Sequence, residues 1–372
     1  MKRSPLQELS DQGQSVWIDY LSRDLLHRGE LARMMHDDAV VGVTSNPTIF
    51  ERAIRAGAAY DEQLGQLVGH QADPKELFIA LAARDVGEAC DLLRPVWDAR
   101  SGGDGFVSIE VDPTLAHDAA ATVAEASRLH ALIDRPNLLV KIPATPAGLV
   151  AIEEMIAQGR SINVTLIFSL TRYAEVAERY LRGLERLLDA GGDPRRVASV
   201  ASFFVSRVDV EADRGLAELG AGDDLRGRLA IANAKLAYRR YRTLFSGERW
   251  DELAARGARP QRCLWASTST KDPAQRDVRY VEELIGPETI STMPEQTLRA
   301  FQDHGRVAPT LEQGLDEAER VLERLAAAGV AYDAVTATLE REGVETFEGS
   351  FRALLERIGE QRRLSLTSGP SR

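Results

Sequence analysis

The stretch Leu138-Leu139-Val140-Lys141-Ile142-Pro143 places one amine inside an otherwise unbroken apolar run. A short apolar run closed by proline reads as a strand buried on both faces. Taking an ammonium out of water costs on the order of several kcal/mol unless it is paired or loses its proton. A buried lysine therefore has two uses. It can pair with a nearby carboxylate for structure, or, with its amine kept neutral by apolar surroundings, it can attack a carbonyl and form a Schiff base. The neighbouring runs decide what surrounds it.

Working outward, similar β-rich runs recur on both sides. Toward the N-terminus lie Val16 to Asp19, Val40 to Asn46 and Phe106 to Val111; toward the C-terminus lie Ile162 to Phe168, Val197 to Val205, Arg262 to Thr268 and Thr289 to Met293. Between most of them the apolar period changes to that of a helix, as in Leu115 to Ile133, Ala147 to Ala157 and Thr171 to Leu188. Thr145-Pro146 supplies an N-cap followed by proline at the first helical position, and Gly159 a C-terminal cap, so the helix after the lysine strand is bracketed on both sides. Strand followed by helix, eight times over, predicts an α/β fold of one type: a single (β/α)8 TIM barrel. Such barrels are filled inside by side chains and carry their chemistry at the carboxyl ends of the strands.

Asp19, Asn46, Glu110, Lys141, Thr165, Ser202 and Ser267 all fall near those ends. Each has a structural alternative. Asp19 or Asn46 could cap the helix that follows, Glu110 could simply pair with Lys141, and the hydroxyls could bond backbone. A lysine with two carboxylates and several hydroxyls converging on one mouth is nonetheless the composition of a catalytic site.

On these residues the chain resembles the transaldolase family, in its larger bacterial form. The resemblance is carried by Trp17-Ile18-Asp19, Thr44-Ser45-Asn46-Pro47-Thr48, Ser108-Ile109-Glu110-Val111-Asp112, the lysine strand with Ala144-Thr145, and Ile162 to Ser169. It continues through Ser202-Phe203-Phe204-Val205-Ser206-Arg207 and Ala266-Ser267-Thr268. It implies that Lys141 forms the Schiff base, that Asp19 is the acid/base at the bond being broken, and that Glu110 and Thr165 hold a proton-relaying water. It also implies Asn46, Asn163 and Ser202 as ligands of a three-carbon fragment, Phe204 as a wall beside it, and Arg207 as a phosphate ligand. The structural alternative for Arg207 is an ion pair with Asp209 or Asp213. After strand seven the chain departs from smaller members, which have Ser-Phe-Arg; here Ser267-Thr268-Ser269-Thr270-Lys271 stands, and Lys271 is the candidate for a second phosphate contact.

The resemblance implies a pentose phosphate pathway transferase that passes dihydroxyacetone from sedoheptulose 7-phosphate or fructose 6-phosphate to an aldose phosphate. Two other readings remain open at this point: a fructose 6-phosphate aldolase-like enzyme that releases dihydroxyacetone to water, and a non-catalytic phosphosugar-binding barrel.

Composition bounds these readings. At 372 residues the chain exceeds the about 250 of a bare barrel. The expectation is one domain over 1–362, with helical insertions at 51–103 and 206–261, a C-terminal helical layer from 310, and a frayed tail at 363–372. With 46 basic and 57 acidic side chains the formal charge is -11, which argues against a nucleic-acid surface. The cationic segment Arg226 to Arg242 reads as a solvated or salt-bridged helix face.

Cofactors and compartment follow by exclusion. The six histidines, His27, His36, His70, His117, His130 and His304, avoid the strand ends, so no zinc site is expected. Only Asp19 and Glu110, with Asp112 nearby, supply carboxylates at the mouth, too few for a magnesium cluster. No glycine-rich nucleotide motif occurs, and the expected enzyme uses neither metal nor cofactor. Met1 to Pro5 opens no secretory signal, no run approaches the about 18 apolar residues of a membrane span, and Cys90 and Cys263 read as free buried thiols. The expected setting is the cytoplasm.

Overall fold

The computed structural model describes residues 3–56, 58–68 and 73–367; Met1, Lys2, His70 and the last residues of the expected tail, 368–372, lie outside the described set. Helix α1 (Pro5–Asp11) leads into β1 (Gln14–Ile18), and α2 (Arg23–His27) and α3 (Glu30–Asp37) into β2 (Val40–Val43). Helices α4 (Pro47–Ala56), α5 (Asp61–Val68) and α6 (Pro74–Ala99) precede β3 (Phe106–Glu110). Single helices α7 (Ala119–Ile133), α8 (Pro146–Ala157) and α9 (Leu170–Asp189) alternate with β4 (Leu138–Pro143), β5 (Ile162–Ile167) and β6 (Ser199–Phe204). Then come α10 (Ser206–Leu219), α11 (Leu229–Leu244) and α12 (Glu248–Ala255), β7 (Arg262–Ala266), α13 (Arg279–Glu282), β8 (Thr289–Met293), α14 (Glu295–His304), α15 (Leu315–Ala327) and α16 (Tyr332–Thr367).

The eight strands close in sequence order into a barrel, every neighbouring pair parallel, with β1 sealed against β8 through Val16 opposite Ser291. This is the (β/α)8 barrel the alternation predicts. Strand β4 is buried along its whole length, as its apolar sequence requires. Its helix is held close. The Thr145 hydroxyl accepts from the Gly148 amide at 2.9 Å, and a Cβ on Gly148 would lie 1.9 Å from the Pro143 carbonyl oxygen, so only glycine lets α8 start this near the end of the lysine strand. At the other end of α8, Gly159 takes φ +74° and the Arg160 and Gly159 amides bond the carbonyls of Met155 and Ile156, a Schellman cap. Inside the barrel Gly42 is equally constrained, because a Cβ there would stand 2.3 Å from the Trp17 indole.

The register of β5 against β6 slips by one residue between Val164 and Ile167, and Leu166 within this bulge has φ +59°. Left-handed backbone on a residue other than glycine stores strain and re-aims its neighbour. That neighbour is Thr165.

Helix α16 extends to Thr367, five residues into the segment read from the sequence as a frayed tail; Gln361-Arg362-Arg363-Leu364 are helix formers, and no glycine intervenes before 369. The helix buries Val335, Leu339, Val344, Phe347, Phe351, Leu354 and Ile358 as one stripe. Gly343, with no Cβ to hold the chain off, brings the helix against Leu166 and Phe168 at the end of β5. The cationic segment around α11 is salt-bridged, with Arg239 bonded to Glu319 and Arg242 to Glu312 across the surface. Cys90 and Cys263 are buried free thiols. No helix among the described residues is long and apolar enough to cross a membrane.

Candidate active site

Parallel pairing sets the site's centre. Lys141 on β4 lies opposite Glu110 on β3 and Asn163 on β5, so three polar side chains from adjacent strands meet at the carboxyl end of an apolar barrel. Lys141 is 4% exposed; its Nζ lies 3.5 Å from Glu110 Oε2 and donates to the Ser45 carbonyl at 3.2 Å. Burial pushes the Glu110 carboxyl up from its ordinary range to about 7, against the pull of the Lys141 charge. Glu110 Oε2 and the Thr165 hydroxyl are both buried without a hydrogen-bond partner among the described residues. Buried polar atoms are rarely left this way, and here one lies 3.5 Å from the amine and the other lines the same cleft.

Asp19 follows β1 and is held from the side. Thr44 donates its hydroxyl proton to Asp19 Oδ1 at 2.6 Å, and the Thr44 and Thr292 hydroxyls are 2.9 Å apart. With its one proton committed to Asp19, Thr44 must accept from Thr292. The carboxylate is therefore oriented by a two-hydroxyl chain from β2 and β8.

A second chain runs beneath the other side. Ser202 donates to Asn163 Oδ1 at 2.7 Å, and Asn163 in turn donates to Ser108 at 3.0 Å. Asn163 is fully buried, and it acts on the cleft by fixing the Ser202 hydroxyl. Asn46 accepts the Ile49 amide at 3.0 Å and so caps the start of α4, as its structural alternative proposes; its amide N–H groups remain as donors for a ligand.

Of the residues singled out in the sequence, Asp19, Asn46, Lys141, Thr165, Ser202, Phe204, Arg207, Ser267 and Lys271 line one cleft of about 240 Å³. Glu110 and Asn163 lie beneath its surface. Ser267, left-handed at φ +56°, shares a hydrogen bond with Ser206 at 2.9 Å. Half-buried Arg207 sits between two aromatic rings, its guanidinium carbon 5.4 Å from the centre of Phe204 and 5.9 Å from that of Phe347. The acids offered as its partners are engaged elsewhere: Asp209 accepts from the Ala230 amide and the Tyr280 hydroxyl, and Asp213 from the Gly227 amide. Burial lowers the Arg207 pKa, while the charges of Asp19 and Glu110 raise it. Lys271 donates to Ser269 at 2.6 Å.

Several cleft residues escaped the sequence reading. Arg52 on α4 and Phe347 on α16 come from helices whose periodicity says only which face is apolar, and Thr44 and Thr292 resemble ordinary strand threonines. The adjoining Asn46-Pro47 turn is the one local signal that pointed to the start of α4.

A family model described as Transaldolase/Fructose-6-phosphate aldolase matches residues 16–358. A protein named Transaldolase from Acidothermus cellulolyticus is 55% identical over 353 residues, spanning 94% of this chain and 95% of its own. Another of that name, from Frankia alni, is 53% identical over 369 residues, 98% of this chain and 100% of its own. A third, from Thermobifida fusca, is 50% identical over 361 residues, 96% of this chain and 98% of its own.

Proposed function

The chain belongs to the transaldolase family, enzymes that act as transferases in the pentose phosphate pathway, and from that premise we propose how its cleft carries the reaction. The Lys141 amine attacks the ketone of a ketose phosphate and, with loss of water, forms an imine. Asp19 takes the proton from the hydroxyl beside the carbon-carbon bond, the bond breaks, and its electron pair passes into the protonated imine. An aldose phosphate departs, leaving a three-carbon enamine on Lys141. Addition of a second aldose phosphate reverses these steps, with Asp19 returning the proton, and water then releases the new ketose.

Glu110 and Thr165, whose hydrogen-bonding capacity is not used by the protein, serve the water lost and regained at the imine. Ser202, fixed by Asn163, and the amide of Asn46 bind the hydroxyls of the three-carbon unit, with Phe204 as a wall. Arg207, Lys271 and Ser267 bind the phosphate, the guanidinium taking two oxygens at once. The buried free thiols fit a reducing compartment, and we place the enzyme in the cytoplasm.

One observation carries this reading: an amine 4% exposed, near a carboxyl whose own proton is held unusually tightly, opens on a cleft that also presents cations with no carboxylate in ion-pair reach among the described residues. The names of the relatives favour transfer over release. Enzyme given fructose 6-phosphate alone should yield about one equivalent of glyceraldehyde 3-phosphate per site, with steady turnover only once erythrose 4-phosphate is added, as ping-pong kinetics require. Sustained liberation of free dihydroxyacetone at a comparable rate would replace the transferase reading with the aldolase one.

A further inference from the structure

We propose that Arg52 is a specificity-determining residue of the phosphate subsite, the third member of a cation cluster with Arg207 and Lys271. The inference rests on the reading that the cleft takes phosphosugars, and it assigns the recognition of their phosphate partly to helix α4.

The three cations come from three separate elements: Arg52 from α4, Arg207 from the first turn of α10, and Lys271 from the loop after β7; all three line the same cleft. None has a carboxylate within ion-pair distance among the described residues. Elsewhere on the surface exposed arginines are habitually paired, as Arg214 is with Glu211 and Glu218, and Arg249 with Glu178 and Glu185. Arg52 has an acid beside it in sequence, Glu51, but that carboxylate lies 3.7 Å from Arg55. Like charges gathered without counter-charge repel one another. Lys271 registers the repulsion: its ammonium is pushed below its ordinary pKa first by burial, then by Arg207 and by Arg52.

Such a cluster suits a ligand with more than one negative charge, and a phosphate monoester carries about -1.5 to -2 at neutral pH. Arg207 divides its field between the cleft and the carboxylates Asp19 and Glu110, and Lys271 is compact and partly desolvated. Arg52, exposed and unpaired, brings a full planar guanidinium able to meet two phosphate oxygens.

Spacing along α4 gives the geometry a purpose. Asn46, Ile49 and Arg52 follow one another at intervals of three and all line the cleft, so one helical face contributes both a polyol donor and a cation. The helix is braced from outside, with Thr48 donating to Ser350 of α16 at 2.8 Å and Phe50 packed edge-on against Phe78 at 5.5 Å. A rigid helix bearing both groups fixes the distance from the imine end of the sugar to its phosphate.

The test compares wild type with Arg52→Ala, Arg52→Lys and Arg207→Ala, measuring transfer from fructose 6-phosphate to erythrose 4-phosphate and inhibition by inorganic phosphate. Arg52→Ala should raise KM and the phosphate inhibition constant by about tenfold or more, with kcat changed by less than about threefold, as expected for loss of a charge-assisted contact. Arg52→Lys should recover a large part of both. Unaltered KM and phosphate inhibition in Arg52→Ala, alongside large changes in Arg207→Ala, would overturn the role of Arg52 and leave the transaldolase reading intact. A fall in kcat with no change in phosphate inhibition would overturn it too, by showing a structural effect. Absence of transfer in wild type would instead remove the reading on which the inference rests.

Discussion

At the amino end of the barrel Arg262 meets Asp104, and at the carboxyl end Lys141 meets Glu110; each is a cation closed in against a carboxylate, and the two are finished in opposite ways. All five N–H groups of Arg262 find acceptors: Nε in the Glu288 carbonyl, Nη1 in the Gly103 carbonyl and Asp104, Nη2 in Ser15 and the Thr289 carbonyl. Asp104 is as well supplied, accepting from Ser15, from Trp17 Nε1 at 2.8 Å and from the Gly105 amide at 3.1 Å. At the carboxyl end Glu110 Oε2 has only the 3.5 Å approach of Lys141, and the Thr165 hydroxyl has no hydrogen-bond partner among the described residues. The amino end even holds the larger cavity, about 430 Å³ against 240 Å³. Size does not mark the reactive end. A saturated pair holds a shape, whereas an unsaturated one keeps hydrogen-bonding capacity for reactants.

Mutating each cation should separate the two ends. Lys141→Met removes the proposed nucleophile and should cut kcat by on the order of 10⁴ or more, with the unfolding midpoint little changed near neutral pH, because Glu110, which burial already makes hold its proton up to about pH 7, can stay protonated when its partner is gone. Arg262→Ala leaves Asp104 buried and uncompensated and should cost about 3–5 kcal/mol of stability, while kcat/KM per folded molecule stays within about threefold. Circular dichroism melts and transfer assays on the same preparations check both. A stable but inactive Arg262→Ala would erase the distinction between the two ends.

The sequence made the barrel legible because its strands are buried on both faces and alternate regularly with helical periods, and because a charged residue in the β4 run needs either a buried partner or a chemical use. It made the mouth legible through strand ends, where Asp19, Asn46, Thr165, Ser202 and Ser267 each follow or close an apolar run. What it concealed depends on contacts between distant segments. Phe347 reaches Arg207 from α16, which packs closely through Gly343 against Leu166 and Phe168 at the end of β5, and the bulge at Leu166 is a backbone event with no residue signature. The Asp104 network was equally hidden, since its members lie in a loop and at three strand starts that read as ordinary boundaries. Glu110 and Asn163 show the limit of strand-end reasoning: it finds the level of the barrel, and side-chain packing decides which groups reach the cleft surface.

The smallest expected effect sharpens the contrast in a different variable. Glu110 holds its proton up to about pH 7 when folded and, on its ordinary value of 4.5, releases it earlier when unfolded. Between those limits the folded state therefore binds more protons, and its stability falls as pH rises. Glu110→Gln cannot titrate, so the difference in unfolding free energy between it and wild type should change by on the order of 1–3 kcal/mol from pH 4.5 to 7 and level off outside that window. A difference independent of pH would show that the carboxyl end is not the poorly compensated one.

The most direct measurement is reductive trapping. Borohydride added to enzyme with fructose 6-phosphate should fix a three-carbon adduct, found by peptide mass spectrometry on Lys141 and absent without sugar, because only an imine at that amine is reduced to a stable secondary amine. An adduct on any other lysine, or none on an enzyme that is turning over, would contradict the assignment of Lys141 as the reacting group.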